Sequence, residues 1–338
     1  MALMEQRVEG AWVAKQTAKG TVVATAIKRL RKAGGGMGVT RDDGAEVYSD
    51  GQRFGDRVDY VNTLVGEGNP VAMAQTGVLG YLVYLMMGAE TVTGAAAPFT
   101  HTVTPAGTGF WFGAWKRVGE TVIQRQRFND CRMRSLRIEG SSANKVVKAT
   151  PDFVSLDPGE IVATDPVKAD DATVPWKHTE GEGRYLIDGT IHRGLASWAI
   201  VLNDAVTPGY GDSVVPFDVG FGMSEVQLDG LSLLLDPQGK DWYDRQTYGS
   251  VNPAAGVKPL RDLPALGSFE VDLLRGTGVT LEEFKATIPS ARWAAPGPFE
   301  GNPEGGVPEI PMAASARVPA GVTPIITIVT KGADAAYT

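Results

Sequence analysis

The chain has 338 residues, 43% hydrophobic and 21% charged, the balance of a soluble globular protein long enough to bury a sizeable core. Asp plus Glu outnumber Lys plus Arg by 39 to 32, a net charge of −7; this argues against a general nucleic-acid binder, which carries a basic footprint to neutralise phosphates. A single cysteine, Cys131, excludes an internal disulfide, and 42 glycines with 21 prolines favour turns over long helices.

Residues 1–26 read as an N-terminal arm with short strands at Ala11 to Ala14 and Thr21 to Ile27. The start, Met1-Ala2-Leu3-Met4, lacks a basic segment followed by an apolar run, so no signal peptide is expected and the chain is taken to fold in a cytoplasm. A loop follows from Lys28 through Gly34-Gly35-Gly36 to Asp50, basic and then acidic, with Lys28, Arg29, Arg31 and Lys32 close together. Such a cluster suits a phosphate; in an acidic chain a solvated edge or subunit contact is preferred. Residues 52–66 look extended. Gly77 to Met87 is apolar nearly all round and predicts a buried or interfacial helix capped by Gly88. That run is far short of the roughly 20 residues a membrane span needs.

Strands then dominate. Phe110-Trp111-Phe112 and Glu120 to Phe128 are aromatic or β-branched runs, and 131–139 with 145–155 predict a hairpin about Gly140 to Asn144. Trp198 to Leu202, Val226 to Asp229 and Phe269 to Leu273 alternate with period two. A second helix is expected from Thr280, with Glu283 completing a capping box and Pro289 ending it. Long loops are expected at 236–264 and 291–310, closing strands at 312–318 and 324–330 joined through Pro319-Ala320-Gly321, and a frayed tail from Asp334 to Thr338. The fold class is mostly β: an antiparallel β-sandwich or barrel with one or two short α-helices and long loops. No internal repeat is evident; Glu-Gly-Asn-Pro occurs at 67–70 and 300–303, but four turn-forming residues recur by chance.

Catalytic patterns are missing. Gly107-Thr-Gly109, Gly220-Phe-Gly222 and Gly276-Thr-Gly278 lack the third glycine and strand–helix context of a dinucleotide loop. Ser142 and Lys145 fit Ser-x-x-Lys, but at a hairpin tip where that nucleophile needs a helix. His101, His178 and His192 have no metal-ligand spacing and read as surface or strand residues, and the pairs Asp42-Asp43 and Asp170-Asp171 read as solvated turns. Cys131 reads as a small buried apolar residue. Trp111 and Trp115 invite a carbohydrate platform, though strand aromatics are more often core or interface. The expectation is a protein that is not an enzyme and has no catalytic residue, metal or cofactor.

Several segments, in order, resemble the tail tube (major tail) proteins of tailed bacteriophages. They are Lys15-Gln16-Thr17-Ala18-Lys19-Gly20-Thr21, Asp50-Gly51-Gln52-Arg53, Leu79-Gly80-Tyr81-Leu82 to Gly88-Ala89, and Phe99-Thr100-His101-Thr102-Val103-Thr104-Pro105. Arg127-Phe128-Asn129-Asp130-Cys131 leading to Ser135-Leu136-Arg137-Ile138-Glu139-Gly140, Trp198 to Asn203 and Ala313 to Thr330 continue the likeness, which covers most of the chain and departs at 236–264.

The resemblance implies a subunit of the tail-tube type whose rings, usually hexameric, stack into a virion tube of siphovirus type that conducts DNA at ejection. Partners would be itself, the tape-measure protein, the tail terminator and the distal tail proteins; DNA would pass without tight binding, and assembly would occur in the host bacterial cytoplasm without membrane insertion. The domain reading is one tube domain over 1–338, with an N-terminal arm and loop over about 1–60. The alternative is two tube-like units, about 1–175 and 176–338, of which three chains complete a ring. Luminal acids are sought at Glu270 and Asp272, and at Glu225 and Asp229, where like charge keeps DNA off the wall. A stacking loop at 28–58 is sought in Lys28, Arg29, Arg31 and Arg41, facing Asp42, Asp43 and Glu46 of the next ring. Rival readings are another tail, baseplate or head–tail connector ring protein, and a secreted carbohydrate-binding or hydrolytic β-protein.

Overall fold

The computed structural model describes residues 9–23, 27–48, 56–119, 123–166, 168–169, 171–262, 266–296, 307–318 and 324–337. The architecture is mostly antiparallel β with two α-helices among the described residues. The first half runs β1 (Glu9–Lys15), β2 (Ile27–Leu30), β3 (Lys32–Gly34), β4 (Met37–Tyr48), β5 (Asp56–Gly68), β6 (Val71–Met73), helix α1 (Thr76–Met87), β7 (Gly88–Thr93), β8 (Phe99–Pro105), β9 (Phe112–Val118), β10 (Gln124–Ser141) and β11 (Lys148–Ser155), then the two-residue strands β12 (Glu160–Ile161) and β13 (Lys168–Ala169). The second half runs β14 (Leu186–Ile187), β15 (Thr190–Ile191), β16 (Leu195–Asn203), β17 (Val206–Gly209), β18 (Asp218–Phe221), β19 (Glu225–Leu234), α2 (Pro237–Tyr248), β20 (Gly267–Arg275), β21 (Glu282–Trp293), β22 (Glu309–Ala316) and β23 (Thr327–Gly332).

The two halves repeat one strand order. In the first, β3 pairs with β6, β6 with β11, β11 with β10, β10 with β9, and β9 with β1. In the second, β16 pairs with β19, β19 with β22, β22 with β21, β21 with β20, and β20 with β14. The details match as well. β3 slips against β6 between Lys32 and Gly34, and β16 slips against β19 between Leu195 and Ser197. A hairpin interrupts each half at the same place, β4–β5 in one and β17–β18 in the other. Each helix starts three positions after its strand ends, at Thr76 after Met73 and Pro237 after Leu234; each has 12 residues and ends on a left-handed glycine, Gly88 (φ 87°) or Gly249 (φ 81°).

Among the described residues two strand pairings join the halves. The end of β10 pairs with β16, from Ser135↔Asn203 to Ser141↔Ser197, and β8 pairs with β23. Helix α1 packs at this junction with all 12 residues buried. Its apolar run has no wet face, so burying it on every side stabilises the junction, by about 1.5–3 kcal/mol per large side chain. Asp171 accepts hydrogen bonds from the Gly77 and Val78 amides (3.0 and 3.2 Å), and the Tyr81 hydroxyl accepts one from the Lys15 amide at 2.6 Å. The core is continuous across both halves.

Four expectations are corrected. The segment from Thr280 is not an α-helix: a 3-10 turn at Gly278–Thr280 leads into β21, because Phe284, Ala286 and Ile288 alternate into the core with period two. The Thr280 hydroxyl bonds back to the Thr277 carbonyl at 2.9 Å instead of capping a helix. Conversely, the expected loop 236–264 holds α2, whose start is written in capping residues: Asp236 accepts from the Gly239 amide at 2.7 Å and Pro237 opens the first turn. Within the expected basic loop 28–50, the residues up to Tyr48 form strands β2, β3 and β4, and 49–50 lie outside the described residues. The tail is not frayed through Tyr337, which is 2% exposed, stacks on His101 (4.3 Å between rings) and shares a 2.8 Å hydrogen bond with Thr330. Thr338, 297–306 and Pro319-Ala320-Gly321 lie outside the described residues. The hairpin at 131–155, the helix at 77–87 and the strands at 198–202, 226–229 and 269–273 stand where they were expected, and the closing strands, expected at 312–318 and 324–330, lie at Glu309–Ala316 and Thr327–Gly332.

Candidate assembly surface

Eight strands lie side by side in one sheet. The order is β3 with the start of β4, β6 with the end of β5, β11, β10, β16, β19, β22 and β21. Four strands of the first half are thus followed by their four counterparts. Period-two patterning divides the sheet's faces. Leu136, Ile138, Ile200, Leu202, Val226 and Leu228 point into the core. Their neighbours form polar rows on the other face: Asp152, Ser135, Asn203 and Glu225 in one register, Thr150, Arg137, Val201, Gln227 and Ser315 in the next, and Lys148, Glu139, Ala199 and Asp229 in a third.

Arg137 fixes part of that face, donating to Glu139 and Asp229 at 2.8 Å each, and its guanidinium holds the Asp229 carboxyl below the usual carboxylate range. Arg134 forms ion pairs with both Glu67 (2.8 Å) and Asp152 (3.0 Å). Glu225 and Asp229 are exposed on this face. Glu270 and Asp272 are not beside them. They lie on β20, outside the eight strands, where Glu270 pairs with Lys285 at 2.7 Å and Asp272 with Arg184 at 3.0 Å. Burial pushes Asp272 above the carboxylate range.

Among the described residues one edge of the sheet has no strand partner, and at the other β21 is paired with β20 only as far as Ala291, which leaves the strand's last residues without one. At one edge, β3 pairs only with β6 and β4 only with β5. Lys116 donates to the Met37 carbonyl there at 2.7 Å, a lysine guarding an open edge. Val39 is 40% exposed at this edge, whereas its counterpart Leu202, covered by β10, is 3% exposed. At the other edge, Ala294 bonds to Ala313 on β22, while β20 reaches only as far as Ala291.

The seven residues sought as a stacking loop fall into two groups. Lys28, Arg29 and Arg31 belong to β2 and its end: Lys28 pairs with Asp334 at 3.1 Å, Arg29 stands opposite Trp12, and Arg31 donates to the Asp171 carbonyl at 3.4 Å. Arg41, Asp42, Asp43 and Glu46 lie along β4 on an exposed ribbon. Past the Thr40↔Val65 pair, β4 and β5 pair, among the described residues, only with each other as far as Tyr48↔Asp56. Leu64 touches the Val214 carbonyl at the base (2.8 Å). The eight residues Arg41–Tyr48 extend roughly 25 Å. Arg41 pairs with Asp43 at 2.6 Å along the same strand, and Asn62 donates to Asp42 across the ribbon at 3.2 Å. Val58 and Tyr60 are 49% and 42% exposed on it.

Other motifs are absorbed by structure. His101, His178 and His192 are all buried, so none is a surface histidine. Cys131 is buried, and burial pushes its thiol up, away from nucleophilic reactivity. Trp115 is buried, and Arg132 covers the Trp111 ring at 4.3 Å. Ser142 sits in the expected turn. Among the described residues no cluster of three or more His, Cys, Asp or Glu is placed to hold a metal, and no helix is long and apolar enough to cross a membrane. No family model and no curated protein matches the chain.

Proposed function

We propose that this chain is a structural virion protein of the phage tail-tube type, in which copies join edge to edge into rings and the rings stack into a tube. The observation that carries the reading is the eight-stranded sheet, one four-strand order written twice, with a polar face, one edge that has no strand partner among the described residues and, at the other, a β21 that runs past the end of β20. An open sheet edge is a pairing template, and a closed ring satisfies every edge with a neighbour. Two tube-like units per chain follow from the repeat, so three chains supply the six units of a ring.

The polar face becomes the lumen. Its acids Glu225 and Asp229, with Asp152 and Glu139, are interleaved with small polar side chains and arginines already held by carboxylates. Such a wall offers phosphates little to grip, as a DNA conduit requires. The β4–β5 ribbon is the element for ring-to-ring contact: a two-stranded ribbon is marginal alone in water and gains order by lying against a neighbour. The chain's partners are then further copies of itself, with the tape-measure, terminator and distal tail proteins at the tube's core and ends.

Negative-stain electron microscopy of the purified protein tests this. Hollow rings stacked into tubes are expected. Rings that never stack favour a connector or distal tail component, and uniform monomers at high concentration overturn the reading.

A further inference from the structure

The junction inside the chain also specifies the junction between chains. We propose that strand β21 of one chain continues past Trp293 along the edge of β4 of the next, which has no strand partner among the described residues, with Ala294 opposite Thr40; this rests on the ring-forming reading above and names its interface.

The register follows from the repeat. Within the chain, Ser135 on β10 stands opposite Asn203 on β16. Each has a counterpart at an open edge. Gly34 and Ser197 occupy the same place in the shared slip of register, and Thr40 lies as far beyond Gly34 as Asn203 lies beyond Ser197. On the other strand, Met133 pairs with Phe153 and Ser135 with the preceding Asp152. Likewise Trp293 pairs with Ala314, and the Ala294 amide donates to the preceding Ala313 at 2.8 Å. Ala294 therefore stands for Ser135, and Thr40 for Asn203. One step along, Ala295 stands for Leu136 and Val39 for Leu202, a pair that faces the core inside the chain.

Exposure agrees with this placement. Thr40, Ala294 and Ala295 are exposed, and Val39 is an edge valine, 40% exposed, with no strand over it among the described residues. The second strand pairing between the halves, β8 on β23, also has a counterpart without a strand partner among the described residues. β12 borders β10 where β23 borders β21, and its Ile161 is 69% exposed. The segment after α2 that corresponds to β7 and β8 exposes Val257 and Leu260, at 45% and 44%. The partner that fits both edges is a second copy of this chain, placed as the second half is placed on the first.

Paired cysteines test the register. The one native cysteine is buried and does not compete. A T40C/A294C variant, assembled and then oxidised, is expected to give covalent dimers and trimers that collapse to single chains with a thiol reductant; neither single variant gives a ladder beyond a background dimer. The V39C/A295C variant, one step along the same register, is expected to behave alike and guards against a local fault in the first pair. Rings visible in micrographs without cross-linking in either pair place the seam elsewhere and overturn this inference while leaving ring formation intact. Absence of both rings and cross-links removes the assembly reading and the seam with it.

Discussion

Tyr337 shows how much a single side chain near the chain's end contributes. Its ring lies in a slot closed by Gly80, where a Cβ would come within 1.9 Å of the hydroxyl, and it stacks on His101. His101 is itself held by Glu90 at 2.6 Å and by the Asp334 carbonyl at 2.8 Å. The last residues thus bind α1, β8 and β23 together at the junction of the halves. Urea denaturation is expected to show a loss of about 3–5 kcal/mol for Tyr337→Ala, as for other large aromatic truncations in a core. Tyr337→Phe loses only the Thr330 hydrogen bond, about 1 kcal/mol. Equal, small losses for both would mean the ring is not packed as described. In sequence this residue reads as a loose end, since nothing local to Asp334 to Tyr337 announces a slot built by residues hundreds of positions away.

Legibility at the scale of elements depended on whether each element carried its own signal. Helix α1 is apolar all round and stands out; β16, β19 and β20 alternate and stand out too. Helix α2 is polar apart from Trp242 and its neighbours, so no apolar stripe marks it. Its caps, Asp236-Pro237 and Gly249, are the signal that a reading by hydrophobic period passes over. At Thr280 the opposite occurred: a capping pattern fitted, but the alternation of Phe284, Ala286 and Ile288 decided the outcome. The β4–β5 ribbon looked like a charged loop because it has no core to face. Its acids and bases were expected to meet on neighbouring rings, yet Arg41 already pairs with Asp43. The exposed Val58 and Tyr60 are therefore better candidates for the stacking contact. Replacing residues 41–64 of the ribbon by a short turn is expected to leave rings that no longer stack, read by electron microscopy and by sedimentation. Full-length tubes from such a variant would assign stacking to another element.

The whole molecule reads as two copies of one plan joined through a shared sheet; in sequence the two units, about 1–175 and 176–338, stand only as the alternative to a single domain, because no residue-level repeat marks them. The copies agree in strand order, in one slip of register, in helix length and in capping glycine, none of which requires similar side chains. Their chemistry differs for a physical reason. Helix α1 packs at the junction inside the chain with all 12 residues buried and is apolar, whereas α2 buries only Gly239, Trp242 and Asp244 and is polar elsewhere. The mostly antiparallel fold class was legible. The acids at Glu225 and Asp229 were placed on a common exposed face, while Glu270 and Asp272 were separated from them because alternation within one strand does not say which sheet that strand joins.

Native mass spectrometry of the smallest assembled particle bears most directly on the claim that each chain brings two units to a ring. One chain is 35.8 kDa, so a ring of three is expected at 3 × 35.8 = 107.4 kDa, with larger particles in whole multiples of that mass. A ring of six single chains, or a particle that stays at one chain at every concentration, would contradict it.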